Sequence, residues 1–318
     1  MKKDAKVPRF GIGEWYGRLF HNLSLSQRHE YSMVALGESD DVPVCPFRDD
    51  GKKCNKPGGI CSLRLYVPLA NGESEVLEGS EGDLRCTCPI RFRQKGIVYN
   101  RVSEILLGIS NPHVVAEVRF LQRITTPVEE KLEEDEPSDS KKEDVGNIDN
   151  VLVDPEDPSN WCALELQTVY FSGEKMKLLF EHIRDFDGSI PFPDRTRRPD
   201  YRSSGPKRLM PQLQTKVPTL RRWGKKMAVV VDSAWFRTNV VGIETVTHIS
   251  NADIAWCLVE FDEETDPATI VIRNPRFHTL ERAVEGLTGG IPVTLPEFEA
   301  KIAEKLAPKK ASRKSSRP

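Results

Sequence analysis

The chain has 318 residues, 38% of them hydrophobic, which is enough for one large domain and a smaller one. No run approaches the roughly 18 apolar residues of a membrane span, and the N-terminal sequence MKKDAKVPRF lacks the apolar segment of a secretory signal. We therefore expect a cytoplasmic protein with no membrane partner, and the net charge of −2 by itself indicates no polyanionic partner.

The first distinctive feature is a group of cysteines. Five of the seven cysteines lie in a Gly-, Pro- and Asn-rich segment that we predict to consist of loops and short strands. An odd count without an export signal argues against a disulfide framework. Cys45, Cys54 and Cys61 are followed by a CTCP element that contains Cys86 and Cys88. Four thiolates form a closed tetrahedral site for zinc or iron, so we predict a structural metal site; reduced structural thiols are the alternative.

The next segment shows helical spacing and then an acidic run. Apolar residues three and four positions apart predict a helix from about residue 98 that ends at Asn111-Pro112. Residues 114–121 are a second apolar stretch, either helix or strand. Residues 126–146 are acidic, contain Pro and Ser, and predict a solvated, flexible insert.

Strands and helices alternate in the rest of the chain. We predict strands at residues 148–153, 161–171, 227–231, 254–261 and 269–272, and helices after Gly173 and near residues 280–287 and 298–306. This alternation predicts an α/β domain. Cys162 and Cys257 fall in apolar strands and are expected to be core residues. The Lys-, Arg- and Ser-rich tail at 307–318 predicts disorder.

Two acidic residues stand out on the first two of these strands. Asp149 lies on one strand, Glu165 on the next, and Gln167 follows two residues later. Because side chains alternate along a strand, Glu165 and Gln167 face the same side, and a hairpin would bring Asp149 beside Glu165. Paired carboxylates are ligands that Mg²⁺ prefers, and bound Mg²⁺ can activate water and neutralise a phosphoryl oxygen. Gln167 could orient that water but could not act as a base.

The alternative is that these are ordinary surface acids, since an Asp and a Glu at this spacing occur in almost any protein. The apolar run around Glu165 argues against that alternative, because an unpaired buried carboxylate is costly.

A basic stretch follows between residues 195 and 226. It contains eleven Lys or Arg residues and a single acidic residue, Asp200. A Pro-rich, extended segment of this kind can follow a phosphate backbone and present arginines to guanine edges, whereas a solvated surface loop is the alternative. Our candidates for DNA contact are Arg198, Arg202, Lys207, Arg208, Arg221 and Arg222.

Several motifs occur in a fixed order along the chain. They are EWYG (Glu14–Gly17), CPFR…C…GGIC (Cys45–Cys61), CPIRF (Cys88–Phe92), IDNVLV (Ile148–Val153), ALELQTVYFSG (Ala163–Gly173) and RPDYRSSGPKRLMPQLQ (Arg198–Gln214). With these motifs the chain resembles the NotI family of type II restriction endonucleases from about residue 10 to residue 300. The arrangement of Gly146, Asp149, Glu165 and Gln167 is similar to the PD-(D/E)xK nuclease core, with Gln in place of the usual Lys.

The resemblance implies Mg²⁺-dependent hydrolysis of DNA by in-line attack of water, which leaves 5′-phosphate and 3′-hydroxyl ends. Asp149 and Glu165 match the metal-binding acids, and Gln167 matches the third catalytic position. The exchange of Lys for Gln argues against a mechanism that needs a lysine ammonium near the attacking water. An additional upstream acid is common in such nucleases, and Glu117 is our candidate, with Glu104 as the alternative.

The resemblance also implies that the four-cysteine site binds iron, with Cys45, Cys54 and Cys61 as ligands and Cys88 as the fourth. Cys86 remains a possible substitute for Cys88.

We therefore expect an N-terminal segment with a four-cysteine metal-binding subdomain (1–95), a PD-(D/E)xK-like catalytic domain with a mixed sheet flanked by helices (96–306) and a basic tail (307–318). The expected protein is a homodimeric, Mg²⁺-dependent type II restriction endonuclease for double-stranded DNA, because a dimer matches a palindrome. The resemblance implies a GC-rich recognition site. The alternatives are a repair or recombination nuclease of the same fold, a non-catalytic metal-containing nucleic-acid-binding protein, and a structural or protein-interaction role.

Overall fold

The computed structural model describes residues 7–122, 144–173, 176–193, 196–289 and 293–306. The predicted basic tail and most of the acidic insert lie outside these residues. Asp144–Gly146, which we assigned to the insert, instead begin a long strand.

An antiparallel sheet forms near the N-terminus. Its strand order is β2 (Arg18–Leu19), β1 (Arg9–Trp15), β3 (Ile60–Pro68) and β4 (Ser74–Val76), and β5 (Arg85–Cys86) also pairs with β3. Helix α1 (Leu25–Leu36) follows β2 and begins with a capping box, in which Ser24 and Gln27 satisfy each other's backbone N–H groups.

A larger mixed sheet forms from the rest of the chain. The strands in spatial order are β13 (Thr269–Ile272), β12 (Ile254–Asp262), β11 (Met227–Asp232), β8 (Trp161–Leu166), β7 (Asp144–Val153) and β6 (His113–Gln122), with β14 (Arg276–His278) also paired to β12. Strand β11 is parallel to both β8 and β12, and the other pairs are antiparallel. The apolar run of β11 is buried throughout, as expected of a central parallel strand.

The helices and remaining strands connect and cover these sheets. They are α2 (Ile97–Leu107), the paired strands β9 (Phe171–Gly173) and β10 (Arg197–Pro199), α3 (Met176–Asp185), α4 (Tyr201–Ser204), a π-helical turn (Gly205–Leu209), α5 (Met210–Arg222), α6 (Ser233–Asn239), α7 (Leu280–Leu287) and α8 (Leu295–Leu306). Short 3-10 helices lie at Phe20–Asn22, Pro57–Gly59, Ala70–Gly72, Ser80–Gly82, Pro89–Gly96 and Ile249–Asn251. None of the helices in the described ranges is long and apolar enough to cross a membrane.

The two faces of the mixed sheet carry different helices. Val98 and Val102 of α2 pack with Leu164 on one face. Leu213 and Val217 of α5, together with α7, pack on the other face with residues such as Ala163, Val229 and Trp256. Because Ala163 and Glu165 are two residues apart on β8, the side chain of Glu165 lies on the α5 face.

Helix α3 packs on the N-terminal sheet rather than on the mixed sheet. Its apolar face, predicted from the spacing of Leu179, Phe180 and Ile183, is buried with Ile12 and Trp15. A helix from beyond the predicted division at residues 95 and 96 therefore packs on the sheet that precedes it, and that division stays a prediction.

One open alternative in the secondary structure is settled, and two expectations change. The second apolar stretch is strand β6, and the predicted strand at 161–171 ends at Leu166. The basic stretch, predicted to be extended, is mostly helical from Tyr201 to Arg222. Its apolar residues recur every three or four positions, and the prolines that hid this pattern are accommodated near the helix start and, for Pro218, inside it.

Candidate active site

Strands β7 and β8 place the two predicted carboxylates side by side. Asn150 pairs with Leu164, so the next residues along, Asp149 and Glu165, lie opposite each other. The backbone N–H of Asp149 donates to Glu165 Oε1 at 3.3 Å. The Glu165 side chain is 2% exposed and that of Asp149 is 48% exposed. One carboxylate therefore lies in the protein interior, and its neighbour opens toward solvent.

The electrostatics of this pair favour a cation. Burial, and after it the negative charge of Asp149, raises the pKa of Glu165 to about 8, although Lys216 acts in the opposite direction. A buried carboxylate with a like charge beside it is stabilised in its ionised form only by added positive charge. The oxygen donors of the pair are also those that a hard divalent cation prefers.

Lys216 completes the site, although it was not among the residues predicted to lie there. Its Nζ contacts Glu165 Oε1 and lies 4.0 Å from Asp149 Oδ1, and its side chain is 7% exposed. Lys216 lies on the buried stripe of α5, between Leu213 and Leu220. A lysine on an apolar helical stripe is the signal that could have found it, but the segment had been predicted to be extended.

Gln167 lies beyond the end of β8 and turns toward the backbone. Its side-chain amide donates to the carbonyl of Thr168 at 2.6 Å, and its backbone N–H donates to Val230 at 2.9 Å. The residue is largely buried. In this arrangement the amide nitrogen of Gln167 already donates a hydrogen bond to a backbone carbonyl.

The two candidates for an upstream acid lie on different elements, Glu117 on strand β6 and Glu104 on helix α2. Glu117 stands on β6 between Ala116 and Val118, which pair with Asn150 and Ile148, so it lies across from Asp149. Its φ is 53°, an uncommon left-handed conformation. Glu104 lies on α2, on the face away from Glu165, and is paired with Arg101 at 3.0 Å. Of the two candidates, Glu117 is the one on a strand that pairs with the strand of Asp149.

The predicted DNA-contacting residues differ in what they touch. Arg221 is paired with Asp253 and Glu281, so its charge is balanced locally. The guanidinium of Arg208 lies over the ring of Tyr170, 3.8 Å from its centroid. All six candidates are exposed, and Arg222 also donates to the Thr219 hydroxyl at 3.1 Å.

The four predicted cysteine ligands lie near one another. Cys45, Cys54 and Cys61 pack in one small cluster with Phe47. Burial raises the pKa of each of these three thiols, and the neighbouring Cys88 thiol adds to the increase. In the part of the chain that the structure describes, however, no three His, Cys, Asp or Glu side chains are grouped so as to hold a metal ion.

Cys86 and Cys88 have different surroundings, because strand β5 ends at Cys86 and the chain leaves the sheet before Cys88. Cys86 is fully buried beneath α2 with Phe92, and its thiol donates to the Cys88 carbonyl at 3.2 Å. Cys86 is therefore a core residue, as are Cys162 and Cys257, and Cys88 is the better placed of the two candidates for a fourth ligand.

The protein is therefore a mixed α/β protein, in which a mixed sheet is flanked by helices. Two carboxylates on adjacent strands and a lysine on a helix are grouped on this sheet. The chain belongs to the NotI restriction endonuclease family: the family model described as restriction endonuclease NotI matches residues 30–272, most of its length. Among curated proteins, none matches the chain. Membership of this family implies a site-specific nuclease that acts on DNA.

Proposed function

We propose that the protein is a Mg²⁺-dependent type II restriction endonuclease that cleaves double-stranded DNA at a GC-rich palindrome. The observation that carries this proposal is the pairing of buried Glu165 with half-exposed Asp149 on adjacent strands of a chain that belongs to a restriction endonuclease family.

The carboxylates of Asp149 and Glu165 would hold the metal ion. When bound, Mg²⁺ supplies Lewis-acid stabilisation of phosphoryl charge and lowers the pKa of water. Asp149 presents its carboxylate at the solvent-exposed side, where a phosphodiester can approach. Glu165 is fixed in the interior by burial and by Lys216, so its orientation does not depend on substrate.

Glu117 and Gln167 are the further catalytic residues that we propose. Glu117 lies across from Asp149 and would add a third carboxylate to the row that crosses β6, β7 and β8. Gln167 directly follows β8, and its amide oxygen would act as an acceptor while its nitrogen donates to Thr168.

DNA would lie along the exposed basic residues of the segment that contains α4 and α5. Arg202, Lys207 and Arg208 are exposed near the start of this segment, and Lys216 in its last third reaches the carboxylates. Backbone contacts from such residues fix the register of a duplex, and arginines at base edges read its sequence. A homodimer would apply two such sites to the two strands of a palindrome.

We also propose that Cys45, Cys54, Cys61 and Cys88 bind one structural iron or zinc ion. The clustering of the thiols supports this proposal, as does the separate burial of Cys86. Elemental analysis of purified protein should give about one iron or zinc per chain, and Cys54→Ser should lose it while Cys86→Ser retains it. Metal-free protein that is as stable as metal-loaded protein would contradict this proposal.

The experiment that tests the function is incubation of the purified protein with phage-sized DNA and Mg²⁺, with and without EDTA. Asp149→Ala is compared with Asp154→Ala, a matched change at a turn residue whose carboxylate accepts from Glu156 and Asn160. Discrete bands that form with wild type and with Asp154→Ala, but not with Asp149→Ala, support the proposal.

A smear that disappears in Asp149→Ala would instead support a repair or recombination nuclease. Intact DNA in every lane would support a non-catalytic nucleic-acid-binding protein.

A further inference from the structure

Lys216 is a buried cation beside the active-site carboxylates, and the sequence pattern of Asp149, Glu165 and Gln167 does not include it. Lysine is almost never buried unless it is paired, because removing an ammonium from water is costly. Here the side chain is 7% exposed and its ammonium lies between Glu165 and Asp149. The fold therefore directs this lysine to the two carboxylates.

The position of Lys216 depends on how α5 packs. Leu213, Val217 and Leu220 fix the helix against the mixed sheet, and Lys216 lies on the same face because it is three residues after Leu213 and four before Leu220. The flexible four-carbon stem allows its ammonium to move by a few ångströms without moving the helix.

Gln167 does not provide this charge. It stands where the related strand pattern would have a lysine, but an amide carries no charge, and its nitrogen donates to Thr168. The site therefore has its ammonium group on a helix instead of on the strand that carries Glu165.

We infer that Lys216 supplies from helix α5 the ammonium group that position 167 lacks, holding Glu165 in the metal-free protein and stabilising negative charge on the reacting phosphate during cleavage. This inference rests on the proposed nuclease function. It has two consequences that can be measured separately. The ammonium competes with a divalent cation for Glu165, and it is needed for cleavage even when the metal site is filled.

The test compares Lys216→Met, which keeps the stem but removes the charge, with Lys216→Arg, which keeps the charge but changes its shape. Lys177→Met is the control, because Lys177 is 70% exposed on α3 and pairs only loosely with Glu181, at 3.8 Å. Circular dichroism and thermal unfolding establish that each variant is folded.

The first readout is Mg²⁺ affinity of the DNA-free protein, measured by titration calorimetry. Lys216→Met should bind Mg²⁺ roughly tenfold more tightly, because a competing cation has been removed from the carboxylates. Lys216→Arg and Lys177→Met should bind it as wild type does. An unchanged affinity in Lys216→Met would overturn the inference.

The second readout is single-turnover cleavage at saturating Mg²⁺, beside DNA affinity measured with Ca²⁺. Lys216→Met should cleave at least about 100-fold more slowly with nearly unchanged DNA affinity, as expected when a preorganised charge is removed from a reacting phosphate. Lys216→Arg should be slowed less than Lys216→Met. If Lys216→Met does not fold, the cleavage rate of Lys216→Arg tests whether the ammonium is needed. Wild-type cleavage rates in both variants would overturn the inference.

Failure of the proposed function gives a different result. If wild type itself leaves DNA intact, the nuclease proposal fails, whereas the Mg²⁺ titration still decides whether Lys216 competes for the carboxylate site.

Discussion

Arg91 and Glu14 form a fully buried ion pair, in which Arg91 Nε donates to both carboxylate oxygens of Glu14 at 2.8 and 3.0 Å. The same guanidinium donates to the carbonyl of Ala268 at 2.7 Å and lies over the rings of Phe47 and Phe261. Glu14 belongs to the N-terminal sheet, and Ala268 directly precedes β13 of the mixed sheet. The pair therefore joins the EWYG and CPIRF motifs and fastens one sheet to the other.

Arg91→Met should destabilise the protein by roughly 3–5 kcal/mol, because it leaves the Glu14 carboxylate buried without a partner. Urea unfolding measures this change. The control is Arg101→Met, which breaks an exposed pair with Glu104 and should cost less than about 1 kcal/mol. Equal losses in the two variants would show that the Glu14–Arg91 pair does not stabilise the junction.

Gly59→Ala should also destabilise the fold. Gly59 has a φ of +68°, and a Cβ there would lie 2.2 Å from the ring of Tyr16. Backbone strain and overpacking together should cost roughly 3 kcal/mol. Gly37→Ala shares the left-handed backbone, with a φ of +77°, but meets nothing within 4 Å, so it should cost only about 1 kcal/mol. Thermal unfolding of both variants separates the two contributions, and equal losses would rule out the contact with Tyr16 as a cause.

His278 should make stability depend on pH. Burial, and after it Arg276, lowers the pKa of His278 from 6.5 to about 4. Below pH 6.5 the unfolded chain therefore binds a proton that the folded chain does not, so stability falls as the pH decreases from 6.5 toward 4. His278→Phe keeps a ring beside Phe236 and Trp256 and should lose less free energy of unfolding between pH 7 and pH 4.5 than wild type. Parallel pH profiles for the two proteins would contradict this assignment.

Lys207 and Arg221 are both exposed, but they should differ in their effect on DNA affinity. Lys207→Ala should weaken binding and reduce the slope of log K against log salt by about 1, the effect of one lost phosphate contact. Arg221→Ala should change the slope little, because Asp253 and Glu281 already neutralise that charge. Binding is measured with Ca²⁺ across a salt series, and a larger change in slope for Arg221→Ala would reverse this assignment.

Moving the lysine should partly restore the active site. In the double variant Lys216→Met with Gln167→Lys, the new ammonium starts from the position directly after β8, two residues beyond Glu165. Single-turnover cleavage should recover by at least about tenfold over Lys216→Met alone, because the lost electrostatic stabilisation is replaced. A double variant as slow as the single one would mean that the helix position itself is required.

Local patterns were sufficient to predict much of the mixed sheet and its carboxylate pair. β-branched runs predicted β7, β11, β12 and β13, and the short turn between β7 and β8 was enough to place Asp149 beside Glu165. These features depend on residues that are close together in the sequence, and the hydrophobic periodicity of the sequence reports on such residues.

The lysine could not be predicted in the same way. The prolines and charges of residues 198–222 indicated an extended surface segment, whereas packing of Leu213 and Val217 on the sheet stabilises a helix there. Tertiary burial thus outweighed local propensity, and the contact of Lys216 with Glu165 joins residues 51 positions apart. The Glu14–Arg91 pair, 77 positions apart, escaped prediction for the same reason.

The parallel pairing of β8 with β11 also sets an order of assembly for the site. Asp149 and Glu165 are 16 residues apart in a hairpin, which closes rapidly, whereas Lys216 arrives only when the chain has crossed over through α5 to β11. A growing or partly folded chain therefore forms its two carboxylates before it acquires the cation between them. The crossover through α5 is therefore also the step that brings a positive charge to the site.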